Sequence, residues 1–166
     1  MIKRMAIGLL MASALLYAQN NDDPAHAFDF WVGQWHLEWK NREGLLVKGS
    51  NTIKKILDGT VIQEFFIDPH TGFKGTSISV YNKKKKEWHQ AWADNRGGFF
   101  NFIGQIEGDR RIFKTRTYKH NPQAPIQRMV FYNITDNHFT WDWQSSTDQG
   151  KSWKLLWRIH YTRSKE

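Results

Sequence analysis

The chain contains no cysteine. Disulfides, thiolate zinc sites, iron–sulfur clusters and cysteine nucleophiles are therefore excluded, and packing and strand pairing must hold the fold. Metal-ligand spacing is also missing. The seven histidines (His26, His36, His70, His89, His120, His138 and His160) form no H-x-H or H-E-x-x-H pattern, and no metal site is expected. Serines are plentiful, but no nucleophile elbow or neighbouring His–acid pattern accompanies them. No repeat of 20–50 residues argues for a solenoid or propeller. No stretch keeps a 3.6-residue apolar period long enough for a major helix.

Aromatic residues are abundant. The 166 residues include 9 Trp, 11 Phe and 5 Tyr, far too many for a disordered chain and enough, at this length, for one domain with a real core. The N-terminal stretch MIKRMAIGLLMASALLYAQNN pairs the basic Lys3 and Arg4 with an apolar run from Met5 to Tyr17, followed by polar residues. That is the pattern of a secretory signal peptide. The expected organisation is a signal peptide over 1–18, a spacer over 19–29 and one domain over 30–166, in a periplasmic or secreted protein. A single short helical turn is expected near Pro24–Phe30. The formal net charge is +8, and the body stays basic without Lys3 and Arg4, which favours acidic partners or surfaces.

Ten segments then carry strand character: Trp35–Lys40, Leu45–Leu57, Thr60–Asp68, Gly75–Asn82, Glu87–Asn95, Gly98–Gln105, Arg110–His120, Ile126–Ile134, His138–Ser145 and Trp153–Arg163. They are rich in aromatic and β-branched residues and separated by short turns such as DGT, NKKKK, DNRGG and EGDR. An open meander of ten strands would leave long edges. The expected fold is therefore all-β, a single antiparallel meander closed into a barrel of about ten strands. A barrel that wide leaves interior space that side chains do not fill.

Strand alternation then nominates a site. Trp88, Gln90, Trp92 and Asp94 share one face, and Phe139, Trp141, Trp143 and Ser145 share another. Indoles with an amide and a carboxylate suit a cavity wall better than a dry core, which Val, Ile and Leu would fill. Trp92 and Trp143 are expected to enclose a ligand, with Gln90 and Asp94 orienting it and Trp88 and Trp141 nearby. Glu64 shares a face with Ile62 and Phe66, and Arg128 with Val130 and Tyr132. An interior Glu64–Arg128 pair that holds a polar head-group is one reading, and exposure of both is the other.

Gly33-Gln34-Trp35 resembles the G-x-W of lipocalins, and FDFWVGQW, GFKGTSISVYN, WHQAWADNRGG and SSTDQGKSW together resemble a family of uncharacterised, often exported bacterial proteins with a lipocalin-like (calycin or nitrobindin-like) barrel. The resemblance covers roughly Phe28 to Arg163. This chain departs from the family pattern in having Trp141 and Gln144 where the family carries Gln and Glu. The resemblance implies a closing cluster in which Trp35 seals one barrel end beneath Arg163, with Arg158 the second choice. Nitrobindin-like barrels hold haem through one late histidine, here His138 or His160. Both alternate away from the apolar faces of their strands, that of the last strand being Trp153, Leu155, Trp157, Ile159 and Tyr161, and no cofactor is expected. Ser146 to Trp153 also resembles the Asp-box hairpin of sialidases; a single copy reads as a turn device centred on Asp148 and Gly150.

The expected function is to bind a small, largely apolar or aromatic molecule in the barrel. Two alternatives belong to other classes. One is an isomerase or hydratase that uses a cavity carboxylate, Asp94 or Glu64, as general base. The other is a protein-binding barrel with a filled interior. Lys83, Lys84, Lys85 and Lys86 form a solvated turn that allows weak contact with anionic surfaces. No nucleic-acid partner is expected.

Overall fold

The computed structural model describes residues 23–116 and 124–165. The segment read as a signal peptide lies outside the described residues. Ten strands form a closed antiparallel barrel in which each pairs with its sequence neighbours and the first pairs with the last. They are β1 (Gly33–Lys40), β2 (Leu46–Ile56), β3 (Val61–Asp68), β4 (Phe73–Asn82), β5 (Glu87–Asp94), β6 (Phe99–Glu107), β7 (Arg110–Thr115), β8 (Ile126–Tyr132), β9 (His138–Ser146) and β10 (Lys154–Arg163). Closure follows from the pairing of β1 with β10, in register Trp35↔Arg163 through Glu38↔His160. That pairing leaves no free edge.

Every hairpin alternates between two barrel ends. At the end where β1 starts and β10 finishes, two short 3₁₀ turns, Pro24–His26 and Asp29–Trp31, form a plug. Pro24 opens the first turn, and the Asp23 carboxylate caps it by accepting the Ala25 N–H. Phe28 is wholly buried. Its ring stacks on Phe113 at 4.4 Å and meets Trp88 edge-on at 5.1 Å. Burying one such ring contributes roughly 1.5–3 kcal/mol. The stretch 24–29, read from sequence as spacer, thus supplies core to the barrel.

The plug is fastened to the closing cluster. The Trp35 indole N–H donates to the Trp31 carbonyl at 2.8 Å, and the Arg163 guanidinium lies 4.2 Å from the Trp35 ring while donating to the Val32 carbonyl at 2.9 Å. A cation over a desolvated indole is worth up to ~2 kcal/mol. Gly33 leaves room for this guanidinium, because a Cβ there would overlap it.

Two features of the β8–β10 region differ from the sequence reading. The β9–β10 register shifts between Leu155 and Trp157. This bulge puts one extra residue in β10, so Leu155, opposite Gln144, lies on the outer face while Trp157, Ile159 and Tyr161 face inward. Trp153 is likewise outside, packed under Arg128. The β9–β10 turn itself is held by Asp148, which accepts bonds from the Ser152 N–H and hydroxyl and from the Ser146 hydroxyl. Those bonds, led by the Ser152 hydroxyl, hold its carboxyl far below the usual range. Gly150 takes φ +88° there, a conformation that glycine adopts without steric cost.

Candidate functional site

The half of the barrel remote from the plug is not filled. A cavity of about 250 Å³ lies there, lined mainly by Phe66, Phe73, Trp92, Phe100, Phe102, Trp141, Trp143 and Trp157, with Glu64, Asp94, Met129, Ile159 and Tyr161 completing the wall. On one side Trp92 meets Phe66 and Phe73, each with ring centroids 6.4 Å away. Opposite, the Trp141 and Trp143 rings are within 6° of parallel at 6.4 Å, and Trp143 meets Phe100 edge-on at 5.7 Å. Trp157 crosses Trp141 at 90°.

The β3–β4 and β5–β6 turns lie beside the cavity, which Phe73 and Asp94 line. The Asn95 side chain ties them together, donating to the Gly72 carbonyl and accepting the Lys74 N–H, both at 2.9 Å. Asp94 folds the second turn by accepting the N–H groups of Arg96 and Gly98, each at 2.9 Å, and it also receives the Trp92 indole N–H at 3.1 Å. Desolvation would raise its pKa. The bonds from Gly98, Trp92 and Arg96, with the Arg96 charge, outweigh that and hold the carboxyl below its ordinary value. Asp94 therefore anchors the Trp92 ring and stays ionised.

Glu64 lies at the cavity floor. It is only 5% exposed and accepts two bonds, from the Asn51 amide at 2.7 Å and the Ser77 hydroxyl at 2.6 Å. Among the described residues no Lys, Arg or His forms a salt bridge with it. Burial pushes its pKa up from 4.5 to about 7, against the smaller opposing effect of the Ser77 and Asn51 bonds. Tyr161 stands beside it, its hydroxyl receiving a second bond from Asn51 at 3.2 Å. Burial, reinforced by the Glu64 charge, raises the phenol well above its usual range.

The sequence-nominated residues divide into three groups. Trp92, Asp94, Trp141, Trp143 and Glu64 come together on the cavity wall. Gln90 and Trp88 face inward but lie deeper, off that wall. Gln90 donates to Ser79 at 3.0 Å and Ser77 at 3.3 Å beneath the floor. Trp88 belongs to the plug, its indole N–H bound to the Pro24 carbonyl at 2.7 Å. Neither borders the cavity, which corrects the expectation that Gln90 would be open to a ligand. Arg128 lies outside altogether. It bonds the Gln144 side chain at 2.8 Å and stacks on Trp153 at 3.8 Å, so there is no Glu64–Arg128 pair. On β8 it is Met129 and Phe131 that face inward. Arg158 is also outside, bonded through two nitrogens to the buried Asp142. His138 and His160 are exposed on the outer face.

Asn51, Ser77 and Tyr161 were not singled out from sequence. The signal was available for two of them. Asn51 sits in the inward row of β2 with Val47 and Ile53, and Ser77 in that of β4 with Phe73 and Tyr81. Polar residues in an inward row demand partners, and here the two converge on the same carboxylate.

No protein-family model matches the chain, and no curated protein matches it. Among solved structures it is similar to the S-type phycobiliprotein lyase CPES from Guillardia theta, with a TM-score of 0.55 and 13% identity over 90% of this chain and 97% of that one. At that identity the likeness is one of fold. What the chain itself shows is a closed ten-stranded antiparallel meander.

Proposed function

We propose that this protein is an exported barrel that holds one small, largely aromatic or apolar molecule between Trp92 and the Trp141–Trp143 pair. The observation that carries this reading is the 250 Å³ aromatic cavity at one end of a barrel whose other end is solidly plugged. The volume lies just under the range of about 300–1,000 Å³ common for ligand pockets, which suits a single small ring system. The solved structure of similar fold belongs to a protein named as a phycobiliprotein lyase, which is compatible with a small-molecule site in such a barrel. The leader-like N-terminal sequence supports export. An unfilled cavity counts against the protein-binding alternative, which needs a packed interior. Native mass spectrometry of the purified protein tests the reading: a small molecule co-purifies with the wild type and is lost from Trp92→Ala.

A second reading is favoured by Glu64. A desolvated carboxylate at the cavity floor, with no guanidinium paired to it among the described residues and a pKa near neutrality, has the properties of a general base. In an enzyme of the isomerase or hydratase type, Glu64 would take a proton from carbon or water while the aromatic wall fixes the substrate. Glu64→Gln would then retain the co-purified molecule and abolish its conversion, and unchanged conversion would dismiss the role.

A further inference from the structure

The cavity's charge runs against that of the chain. The sequence carries 24 Lys and Arg against 16 Asp and Glu, yet among the described residues the ionisable groups on the cavity wall are Glu64, Asp94 and Tyr161, with no Lys, Arg or His. Asp94 is compensated by the N–H groups of its turn and by Arg96, whose guanidinium lies 5.0 Å from the Phe73 ring. Glu64 is not compensated. Its two oxygens have about four acceptor sites and take two donors, Asn51 and Ser77, both neutral. The surrounding walls are aromatic faces, whose quadrupoles attract positive charge and offer nothing to an anion.

We propose that the barrel selects an organic cation, an aromatic or apolar amine in its protonated form, whose ammonium group is placed against Glu64 and whose ring is enclosed by Trp92, Trp141 and Trp143. This deepens the binding reading above and rests on it. An amine N–H donates to the open acceptor sites of Glu64, and the remaining charge faces indole surfaces. A neutral ligand would leave Glu64 protonated and draw no charge attraction from it, and an anion would be repelled wherever Glu64 is ionised.

Proton linkage gives the proposal a second, independent signature. The groups that face Glu64 are Asn51 from β2, Ser77 from β4 and Tyr161 from β10. Of these only Tyr161 titrates, far above neutrality. Near pH 6 Glu64 is mostly protonated, so an arriving ammonium must expel that proton, about one per ligand.

The test is isothermal titration of the full chain with three indoles of similar shape: tryptamine, which is cationic, 3-ethylindole, which is neutral, and indole-3-propionate, which is anionic. The expected result is that tryptamine binds at least about tenfold more tightly than 3-ethylindole and that indole-3-propionate is weakest. At pH 6 the tryptamine heat should vary with the buffer's ionisation enthalpy by close to one proton released. Glu64→Gln, checked for an intact fold by near-ultraviolet circular dichroism, should bring tryptamine to the level of the neutral indole. Should that variant fail to fold, the ligand series and proton count on the wild type decide the matter. Equal or tighter binding of 3-ethylindole, with no proton released, overturns the cation proposal and leaves the binding barrel standing. Absence of binding by all three overturns both.

Discussion

The Trp92 indole occupies the space that Gly75, on the adjacent strand, leaves empty: a Cβ at Gly75 would overlap the ring. Gly75 pairs with Asp94 in the ladder, and Asp94 accepts the indole N–H from Trp92. The ring is thus held by a bond on one side and by missing atoms on the other. Gly75→Val should push it from the cavity wall. The expected outcome is a loss of ligand affinity of more than tenfold at a stability cost of about 1–3 kcal/mol, the usual range for overpacking. Ligand retention and chemical denaturation measure the two effects.

Trp35 and Trp92 should separate stability from binding. Trp35 is 1% exposed, bonded to Trp31 and covered by Arg163. Trp35→Ala should cost roughly 3–5 kcal/mol and leave the cavity lining unchanged. Trp92→Ala should do the reverse, weakening ligand binding more than it lowers the melting temperature. Paired thermal melts and titrations check this; equal effects on both quantities in the two variants would contradict it.

Glu64 should make stability fall with rising pH in a defined window. Its folded pKa, about 7, lies above the ordinary 4.5. Between those values the folded protein holds a proton that the unfolded chain has released. The contribution is complete below about pH 4.5, declines as pH rises, and is gone above about 7. At 1.36 kcal/mol per unit its full size is on the order of 3 kcal/mol. Urea denaturation of wild type and Glu64→Gln across this range should show a difference that shrinks the wild type's advantage as pH rises. A constant difference would mean that Glu64 is not protonated in the folded state.

The bulge at Leu156 leads to a deletion experiment. Leu155 pairs with Gln144 and Trp157 with Trp143, so Leu156 is the extra residue between them. Removing it restores plain alternation, with Leu155 outside and Trp157 still inside. The deletion should therefore fold, losing no more than about 2 kcal/mol, within the range of ordinary point changes. Deleting Ile159 instead leaves Trp157 or Tyr161 on the wrong face and should abolish the fold. Circular dichroism and denaturation curves distinguish the two.

The ten strands were legible because alternation and turn chemistry repeat along the whole chain, and the same alternation put Trp92, Asp94, Trp141 and Trp143 on inward faces. What alternation does not report is depth along the barrel axis. Gln90 and Trp88 share their face with Trp92, yet the register of β4 and β5, Gln90 against Ser79 and Trp88 against Tyr81, carries them below the cavity. Arg128 was ambiguous for another reason. Both faces of β8 are apolar, with Ile126 and Val130 outside and Met129 and Phe131 inside, so hydrophobicity gives no phase. The Leu156 bulge is invisible in a run of Leu, Leu and Trp, where either phase places an apolar residue inside. The isolation of Glu64 emerges only when Asn51 and Ser77, from two other strands, are brought beside it.

The pairing of β1 with β10 also governs how the molecule must be assembled. Trp35 and Arg163 are ladder partners, so the last hydrogen-bonded seam joins segments from nearly opposite ends of the domain. Contacts of such long sequence separation slow the search for the native state, and barrels of this kind fold on the scale of milliseconds to seconds. Until the tenth strand arrives, β1 and β9 each present an unpaired edge to other chains. The seam thus sets an order in time: nascent protein is most exposed to aggregation just before its final strand is made, and a chain cut short there would be a template for its neighbours rather than a smaller barrel.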